Sequence, residues 1–302
     1  MKILVTDGMD KAARAKLVEL GHTVTDQFFE PDQLGKALRD FDAVIIRSKT
    51  KIRKQQIDEA KGSSLKCIIR AGVGVDNIDV AYAEENGIAV KNTPRASSQS
   101  VAELAMAHMF SCARFISVAG ASMRGGNWDK KTFSEGIELS GKTLGILGFG
   151  RIGQKLCAMA KGIGMTVIAF DAYPVPELEA KCGMKYVPRD ELFAEADFIS
   201  LHTPSNDKPL ISAETIAQMK DGVIIINTSR GSNVDEAALL AALNSGKVFA
   251  AGLDVFAEEP AQNAELYSHP RVSCTPHIGA GTAEAQARIG AELVELITAP
   301  AK

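Results

Sequence analysis

Cysteine is scarce in this sequence, and the way it is spaced excludes two kinds of structure. The chain has five cysteines in 302 residues, an odd number without a C-x-x-C pair. Disulfide-stapled domains and structural zinc sites need closely and regularly spaced thiols, so neither is predicted and no metal site is expected. We interpret the cysteines as buried thiols of a protein that folds in a reducing compartment. They are Cys67, Cys112, Cys157, Cys182 and Cys274.

Two further features are missing, a basic tract and a long apolar run. The formal net charge is -3, so anionic ligands would need a local site rather than a general attraction. No segment approaches the roughly 18 apolar residues of a membrane span. The opening MKILVTDGMD has too short an apolar run for a signal peptide. We therefore expect a cytoplasmic protein that binds neither nucleic acid nor membrane.

What the sequence does contain is an alternation of short apolar runs with helix-like stretches such as AARAKLVEL and EAALLAALNSG. This alternation predicts an α/β fold, in which parallel sheets are covered by helices on both faces. At roughly 150 residues per domain, the length favours two domains. The runs interpreted as buried strands are KILV, DAVII, KCIIR, IAVKN, KTLGIL, TVIAF, DFISL, GVIIIN, AAGLDVF and VSC.

Two helices mark the expected domain boundaries. Ser100-Val-Ala-Glu103 matches a helix capping box, and the helix that follows, VAELAMAHMFSCARFISVA, is apolar over most of its surface. Such a helix is buried on more than one side, so it either links two domains or packs against another subunit. TAEAQARIGAELVELIT is a second candidate linker. If it returns to the first domain, residues 1–97 and 283–302 form a substrate-binding domain and residues 98–282 a dinucleotide-binding domain.

Three glycines break the turn between a predicted strand and a predicted helix in TLGILGFGRIGQKL. Gly148 would make the tight turn, and Gly150 would let the backbone approach a pyrophosphate. Gly153 would let helix and strand pack closely. The amides of Arg151 and Ile152 would then meet the phosphates at the positive end of the helix. The alternative is a tight turn between strand and helix that binds nothing.

An acid at the end of the following strand decides which dinucleotide is expected. The strand TVIAFD ends in Asp171, about 20 residues after the glycines, as a dinucleotide fingerprint requires. Its carboxylate would accept hydrogen bonds from both ribose hydroxyls of the adenosine half and would repel a 2′-phosphate. No arginine follows it. We therefore predict NAD rather than NADP.

Three side chains suited to acid-base chemistry follow three predicted strands in the second half. Arg230 follows VIIIN, Glu259 follows AAGLDVF and His277 follows VSC. In a doubly wound sheet these loops leave at the edge where ligands bind. An arginine fork can bind a carboxylate, a histidine can exchange a proton with a substrate oxygen, and a buried carboxylate can orient that imidazole. Together they suit hydride transfer to a 2-oxo acid, although each alone reads as an ordinary surface or packed residue.

The other histidines carry less information about function. His22, His108 and His269 are interpreted as packed or surface residues. His202 is interpreted as a support for the cofactor site. The prediction of a reaction therefore depends on the coincidence of three side chains at one edge.

Seven motifs carry a resemblance to a known family, namely RAGVGVDNID, NTP, GKTLGILGFGRIG, HTP, NTSRGSNVDE, AAGLDVFAEEP and TPHIGAGTAEAQ. On these, nearly the whole chain resembles the D-isomer-specific 2-hydroxyacid dehydrogenases. The resemblance implies two Rossmann-like, doubly wound parallel-sheet domains with a cleft between them. It also implies Arg230, Glu259 and His277 as the catalytic residues. Beside the three glycines, the NAD contacts that it implies are Arg151, Ile152, Asp171, Thr203, Thr228, Ser229, Asp254, Gly279 and Ala280.

Within the family the motifs are most similar to those of the phosphoglycerate-oxidising members, in a short form without a C-terminal regulatory domain. This implies NAD-dependent oxidation of 3-phospho-D-glycerate to 3-phosphohydroxypyruvate, the first step of phosphorylated serine biosynthesis. It also implies a homodimer with the helix after Ser100 at its interface. Two alternatives stay open, a reductase of glyoxylate or hydroxypyruvate and an NAD-sensing binding protein.

The resemblance also implies contacts to the substrate. The amides of Val73 and Gly74 would surround the substrate carboxylate as an anion nest. Arg47 and Arg70, which follow two predicted strands, would bind the phosphate. Lys130 stands where relatives often carry an arginine from the partner subunit, and it keeps the charge without the bidentate fork. Val73 stands where phosphoglycerate enzymes often have threonine. The substrate-binding residues so implied are Arg47, Arg70, Val73, Gly74, Lys130, Arg230 and His277.

Overall fold

A computed structural model describes residues 1–299 of the chain, which divide into two compact units. The first unit joins Met1–Ser98 to the segment that begins at Ala280, and the second unit covers Gln99–Gly279. Residues 300–302, the end of the predicted substrate-binding domain, lie outside the described residues. Each unit contains one parallel sheet with helices, so the predicted α/β class is confirmed.

Strands and helices alternate along the chain, and all ten apolar runs interpreted as strands form strands. The strands are β1 Lys2–Val5, β2 Thr23–Asp26, β3 Ala43–Ile46, β4 Cys67–Arg70, β5 Ala89–Asn92, β6 Thr143–Leu147, β7 Thr166–Phe170, β8 Lys185–Tyr186, β9 Phe198–Leu201, β10 Val223–Asn227, β11 Val248–Leu253 and β12 Val272–Cys274. The helices are α1 Lys11–Glu19, α2 Pro31–Ala37, α3 Lys54–Ala60, α4 Val80–Glu85, α5 Ser98–Arg114, α6 Ile116–Arg124, α7 Arg151–Gly162, α8 Glu177–Cys182, α9 Arg189–Glu195, α10 Ala213–Gln218, α11 Glu236–Ser245, α12 Ala264–Tyr267 and α13 Ala283–Thr298.

The first unit is built on a five-stranded parallel sheet in the order β2-β1-β3-β4-β5. β3 is buried at every residue because helices cover both faces of the sheet. The C-terminal helix α13 belongs to this unit through its apolar side, where Ile289 and Leu293 share one buried cluster with Ile3 and Val5 of β1. The chain therefore returns to its first sheet after the second unit is complete.

The second unit contains a seven-stranded parallel sheet in the order β12-β11-β10-β9-β6-β7-β8. β6 pairs with β7 on one side and with β9 on the other, so the strand order reverses there. In doubly wound sheets ligands bind beyond the carboxyl ends of the strands at such a reversal. The glycine-rich turn follows β6 and therefore lies at this point.

The long apolar helix predicted after Ser100 is broken in two. Phe115 has a left-handed backbone, with φ 56°, and separates α5 from α6. Its ring packs between Phe133 and Phe249, at centroid distances of 6.1 and 5.6 Å, which explains why the chain turns there. Within residues 1–299 no single helix could cross a membrane, and only α5 and α6 taken together, bent by 67°, meet a test of length and composition.

The packing of α13 against α1 can be tested at Gly290. A Cβ added there would lie 2.7 Å from Ala13 Cβ and 2.9 Å from Asp10 Cβ. We expect Gly290→Leu to lower the free energy of unfolding by about 1–3 kcal/mol, the usual cost of overpacking. Gly162, the last residue of α7, has nothing within 4 Å of an added Cβ. Gly162→Ala should therefore be neutral or stabilising by up to about 1 kcal/mol. Urea unfolding of both variants is the check, and equal stabilities would contradict the packing.

Candidate active site

Three neighbouring strands bring the predicted catalytic residues to one edge of the second sheet. β10, β11 and β12 are parallel neighbours, and Arg230, Glu259 and His277 follow them in that order. The imidazole Nδ1 of His277 lies 2.7 Å from Glu259 Oε2. Residues 18 positions apart in the sequence thus form a hydrogen-bonded ion pair when the imidazole is protonated.

The electrostatic surroundings keep Glu259 ionised. Burial by itself would raise the pKa of its carboxyl group, but four other effects outweigh it and hold the pKa below its ordinary value. These are the hydrogen bond and the charge of His277, the amide of Phe256 and the charge of Arg230. The side chain of Glu259 is nevertheless 37% exposed, so the expectation of a buried carboxylate is wrong in this respect.

His277 sits in a strained turn that Asp254 holds in place. Its φ of 53° is unusual for a residue with a side chain. The carbonyl of Asp254 accepts the amide of His277 at 2.9 Å. The buried carboxylate of Asp254 accepts the amides of Ile278 and Gly279, both at 2.8 Å. Asp254 and Gly279, predicted from family resemblance to contact NAD, thus bind each other in the structure.

The loop that carries Arg230 is organised by Asn227, the last residue of β10. Asn227 Oδ1 accepts from the amide and the hydroxyl of Ser229, at 3.0 and 2.8 Å. Its Nδ2 donates to the carbonyl of Arg230 at 2.8 Å. Gly231 follows because a Cβ there would lie 1.8 Å from the carbonyl oxygen of Phe256. The sequence reading did not single out Asn227, although it is fully buried and polar.

Asn233 joins two loops that were predicted separately to bind the cofactor. It is fully buried, and its Nδ2 lies 3.1 Å from Thr203 Oγ1 and 3.3 Å from Ser229 Oγ. The same nitrogen donates to the carbonyl of Pro204 at 3.1 Å. Sequence reasoning missed this residue too, and its position inside the motif NTSRGSNVDE was the available signal.

The three glycines of the turn after β6 have different surroundings. Gly148 has φ 92°, and a Cβ there would lie 2.7 Å from the carbonyl oxygen of His202. A Cβ at Gly153 would lie 2.6 Å from the carbonyl oxygen of Gly148, which is the predicted close packing of helix on strand. A Cβ at Gly150 would meet nothing within 4 Å. The backbone at Gly150 therefore faces open space, as the approach of a pyrophosphate requires.

Asp171 lies beside that turn and holds it. Its Oδ2 accepts the amide of Phe149 at 2.7 Å, and its Oδ1 accepts the amide of Tyr173 at 2.9 Å. Arg151 and Ile152 are the first two residues of α7, so their amides lie at the positive end of that helix. The acid expected to bind ribose thus also orders the glycine-rich turn.

Two buried polar atoms near these loops have no hydrogen-bond partner within residues 1–299, Thr228 Oγ1 and His202 Nδ1. His202 Nε2 pairs with Ser200 Oγ at 2.9 Å, and burial lowers the pKa of His202 to about 4, so the ring is neutral. Orphaned buried polar atoms normally meet a ligand or water. With the open space at Gly150, these atoms fit a bound dinucleotide.

In the first unit, Arg47 and Arg70 stand at the carboxyl ends of two paired strands, since β3 pairs with β4 in parallel. The backbone of Arg47 is fixed by Asp7, which accepts its amide at 2.7 Å, and by Asn77, which donates to its carbonyl at 2.7 Å. The guanidinium of Arg70 donates to the carbonyl of Ala71 at 3.1 Å. The structure therefore places the two arginines at the ends of neighbouring strands, with Arg70 folded over its own loop.

The remaining predicted contacts lie in loops. Val73 is exposed and Gly74 half-buried, in the turn after β4. Lys130 is exposed in the segment after α6. Ala280 begins the return to the first unit, where its carbonyl accepts from Gln286 Nε2 at 2.7 Å. Among residues 1–299, no group of three or more histidine, cysteine, aspartate or glutamate side chains could hold a metal ion.

Comparison with known proteins identifies the family. Residues 106–279 match the family described as D-isomer specific 2-hydroxyacid dehydrogenase, NAD binding domain. Hydroxypyruvate reductase of Thermotoga maritima is 49% identical over 98% of this chain and 97% of its own length. D-3-phosphoglycerate dehydrogenase of Methanocaldococcus jannaschii is 46% identical over 98% of this chain, which spans only 57% of that protein.

Solved structures agree with this assignment. The crystal structure of a glyoxylate reductase from Paecilomyes thermophila superimposes with a TM-score of 0.89, at 34% identity, over 98% of this chain and 94% of that one. The sequence match spans the glycine-rich turn and the loops of Arg230, Glu259 and His277, and the structural match spans both units. NAD is the cofactor that the matching domain binds. The chain belongs to the family of NAD-dependent D-isomer specific 2-hydroxyacid dehydrogenases.

Proposed function

We propose that this chain interconverts a 2-hydroxy acid and its 2-oxo acid, with His277 as the acid-base catalyst. The observation that carries the proposal is the 2.7 Å contact between His277 Nδ1 and Glu259 Oε2. Because Nδ1 is engaged by the carboxylate, Nε2 is the nitrogen left to face the substrate oxygen. An ionised Glu259 stabilises the protonated ring, which suits proton donation during reduction.

The reaction also needs a hydride donor and a group that binds the substrate. Bound NADH supplies the hydride. Arg230 binds the substrate carboxylate through its guanidinium, which polarises the adjacent carbonyl group. His277 then gives its proton to the oxygen that becomes the hydroxyl, and it takes that proton back in the oxidative direction. The cofactor is held by the turn at Gly150, and Asp171 favours NAD over NADP.

The substrate that we propose is 3-phospho-D-glycerate, oxidised to 3-phosphohydroxypyruvate as in serine biosynthesis. Arg47 and Arg70 support this, because two arginines at the ends of paired strands suit a dianionic phosphate. Lys130 remains a proposed third contact. Hydroxypyruvate is the second candidate, favoured by the full-length relative from Thermotoga maritima, a hydroxypyruvate reductase that is 49% identical to this chain.

We also propose that the chain forms a homodimer through α5, α6 and the segment after them. Large apolar side chains are exposed there, at Phe110, Ile116, Met123 and Trp128. A cluster of exposed apolar residues of this kind is typical of a surface that another subunit covers.

Of the predictions for the proposed function, the first separates cofactor binding from folding at two glycines. We expect Gly150→Val to keep its melting temperature close to that of the unmodified protein, because its added side chain meets open space. Its Kd for NADH should rise at least about tenfold, as expected when one hydrogen bond to a charged phosphate is lost. The matched variant Gly148→Val should unfold at a lower temperature, because it meets the His202 carbonyl at a positive φ. NADH fluorescence titration and thermal unfolding are the measurements, and unimpaired binding by Gly150→Val would contradict the assignment.

The second prediction concerns pH. The pKa of Glu259 is held below its ordinary value, so the carboxylate is charged at neutral pH and favours the imidazolium form of His277. Glu259→Gln keeps an acceptor oxygen but removes the charge. The rate of reduction, which needs the protonated ring, should therefore fall at a lower pH than before, because a neutral amide no longer stabilises the positive charge. Oxidation, which needs the neutral ring, should extend to lower pH. Profiles of kcat/KM in both directions test this, and unmoved midpoints would exclude an electrostatic role of Glu259.

The third prediction decides between the two substrates. Arg47→Ala should raise KM for 3-phosphohydroxypyruvate about tenfold or more, the loss of roughly 1.5–3 kcal/mol from a charged hydrogen bond. KM for hydroxypyruvate should change little, because that acid has no phosphate. Lys51→Ala removes an exposed cation of the same unit and should change neither value. An equal loss with both acids would make Arg47 a structural residue, and a preference of the unmodified enzyme for hydroxypyruvate would establish the second candidate.

A further inference from the structure

His108 is a buried polar residue that the proposed reaction does not use. It lies on α5 and is 3% exposed. Its Nδ1 lies 3.0 Å from Ser273 Oγ, and its Nε2 lies 3.1 Å from Thr275 Oγ1. Its own Cβ packs on Gly252 of β11, where an added Cβ would lie 2.6 Å away. A side chain at position 252 would therefore collide with His108.

The partners of Thr275 determine which nitrogen of His108 carries the hydrogen. The Thr275 hydroxyl donates its single hydrogen to Asp254 Oδ1 at 2.7 Å, since a carboxylate only accepts. Thr275 Oγ1 must then accept from His108, so the hydrogen is on Nε2. Nδ1 accepts in turn from the Ser273 hydroxyl. Burial lowers the pKa of His108, and the charge of Asp254 opposes this only in part, so the ring is neutral.

The carboxylate of Asp254, which accepts the hydrogen of Thr275, also holds the turn that carries His277. Asp254 accepts the amides of Ile278 and Gly279 through its side chain and the amide of His277 through its carbonyl. A continuous chain of hydrogen bonds therefore runs from α5 through Thr275 and Asp254 to this turn. A left-handed φ at a residue with a side chain persists only where the surroundings hold it.

We propose that His108 is a positioning residue for the reaction and acts through Thr275 and Asp254 on the orientation of His277. The inference rests on the proposed role of His277 as acid-base catalyst. By donating to Thr275, the imidazole directs the threonine hydrogen toward Asp254, which keeps three donors on that carboxylate. Without the imidazole, the Thr275 hydroxyl is free to rotate, and the turn loses one of the contacts that hold its strained backbone.

Kinetics of paired variants test this role. His108→Leu removes both ring nitrogens, and Thr275→Val removes the hydroxyl with little change of shape. Each should lower kcat about tenfold, with a smaller change in KM, as expected for one broken buried hydrogen bond. His108→Gln keeps an N–H that can reach Thr275 and should recover most of the lost kcat. A double variant of His108→Leu and Thr275→Val should be no slower than either single one, whereas multiplied losses would show independent effects and overturn the proposal.

Met109→Ala is the matched control for packing on the same helix. Met109 is fully buried in the apolar cluster of the second unit. Its truncation should lower the melting temperature while kcat and the pH profile stay as in the unmodified enzyme. If Met109→Ala lowered kcat as much as His108→Leu, the effect of His108 would be one of general destabilisation and the proposal would fail.

Nuclear magnetic resonance on the ligand-free protein provides a second test that needs no turnover. The chain has five histidines, and ¹⁵N shifts of the rings report which nitrogen carries hydrogen. We expect neutral His108 with hydrogen on Nε2, and a moved His277 ring resonance in both His108→Leu and Thr275→Val. Hydrogen on Nδ1, or an unmoved His277 signal, would overturn the proposal. Failure of the proposed function would instead appear as no turnover of any 2-oxo acid, with these spectra unaffected.

Discussion

The parallel pairing of β10, β11 and β12 is the constraint on which the rest of the site depends. Neighbouring parallel strands point the same way, so the loops that follow them all leave at one edge of the sheet. Arg230, Glu259 and His277 come from three such loops and are separated widely in sequence. Because β10 and β11 are buried almost throughout, and β12 at two of its three residues, their register is strongly specified. The buried strands therefore determine which loops lie next to one another, and the loops provide the polar side chains.

Polar residues at strand ends then determine the shape of each loop. Where the chain leaves a sheet, its backbone N–H and C=O groups lose their hydrogen bonds to the neighbouring strand. These groups must then form hydrogen bonds with other partners. Asn227 does this for the loop after β10, and Asp254 does it for the turn after β12. In the first unit Asp7 plays the same part, since its carboxylate accepts the amides of Arg47 and Thr50. One short polar side chain thus holds each of three loops, namely those after β3, β10 and β12.

Features that depend on a local sequence pattern, such as the buried strands, could be predicted from the sequence. Features that depend on contacts between residues far apart in the sequence could not. All ten apolar runs became strands, whereas the edge strands β2 and β8 were missed because their sequences, TVTD and KY, contain no apolar run. The expectation that His277 and Glu259 lie at one edge of the sheet followed from their positions after two predicted strands. His108 was interpreted as a packed or surface residue, because its partners lie about 165 positions further along the chain. The break at Phe115 likewise depends on a ring contact with Phe249 that no local pattern reveals.

Asp254 reconciles the cofactor contact implied by resemblance with the contacts seen in the structure. A carboxylate has about four acceptor sites on its two oxygens. Thr275 and the amide of Ile278 both donate to Oδ1, whereas Gly279 alone donates to Oδ2. Oδ2 therefore keeps an acceptor site that a donor on a bound cofactor can use without displacing the turn. We propose that the same carboxylate holds the turn of His277 and also accepts a hydrogen bond from bound NAD, because the protein contacts that shape the turn fall mainly on its other oxygen.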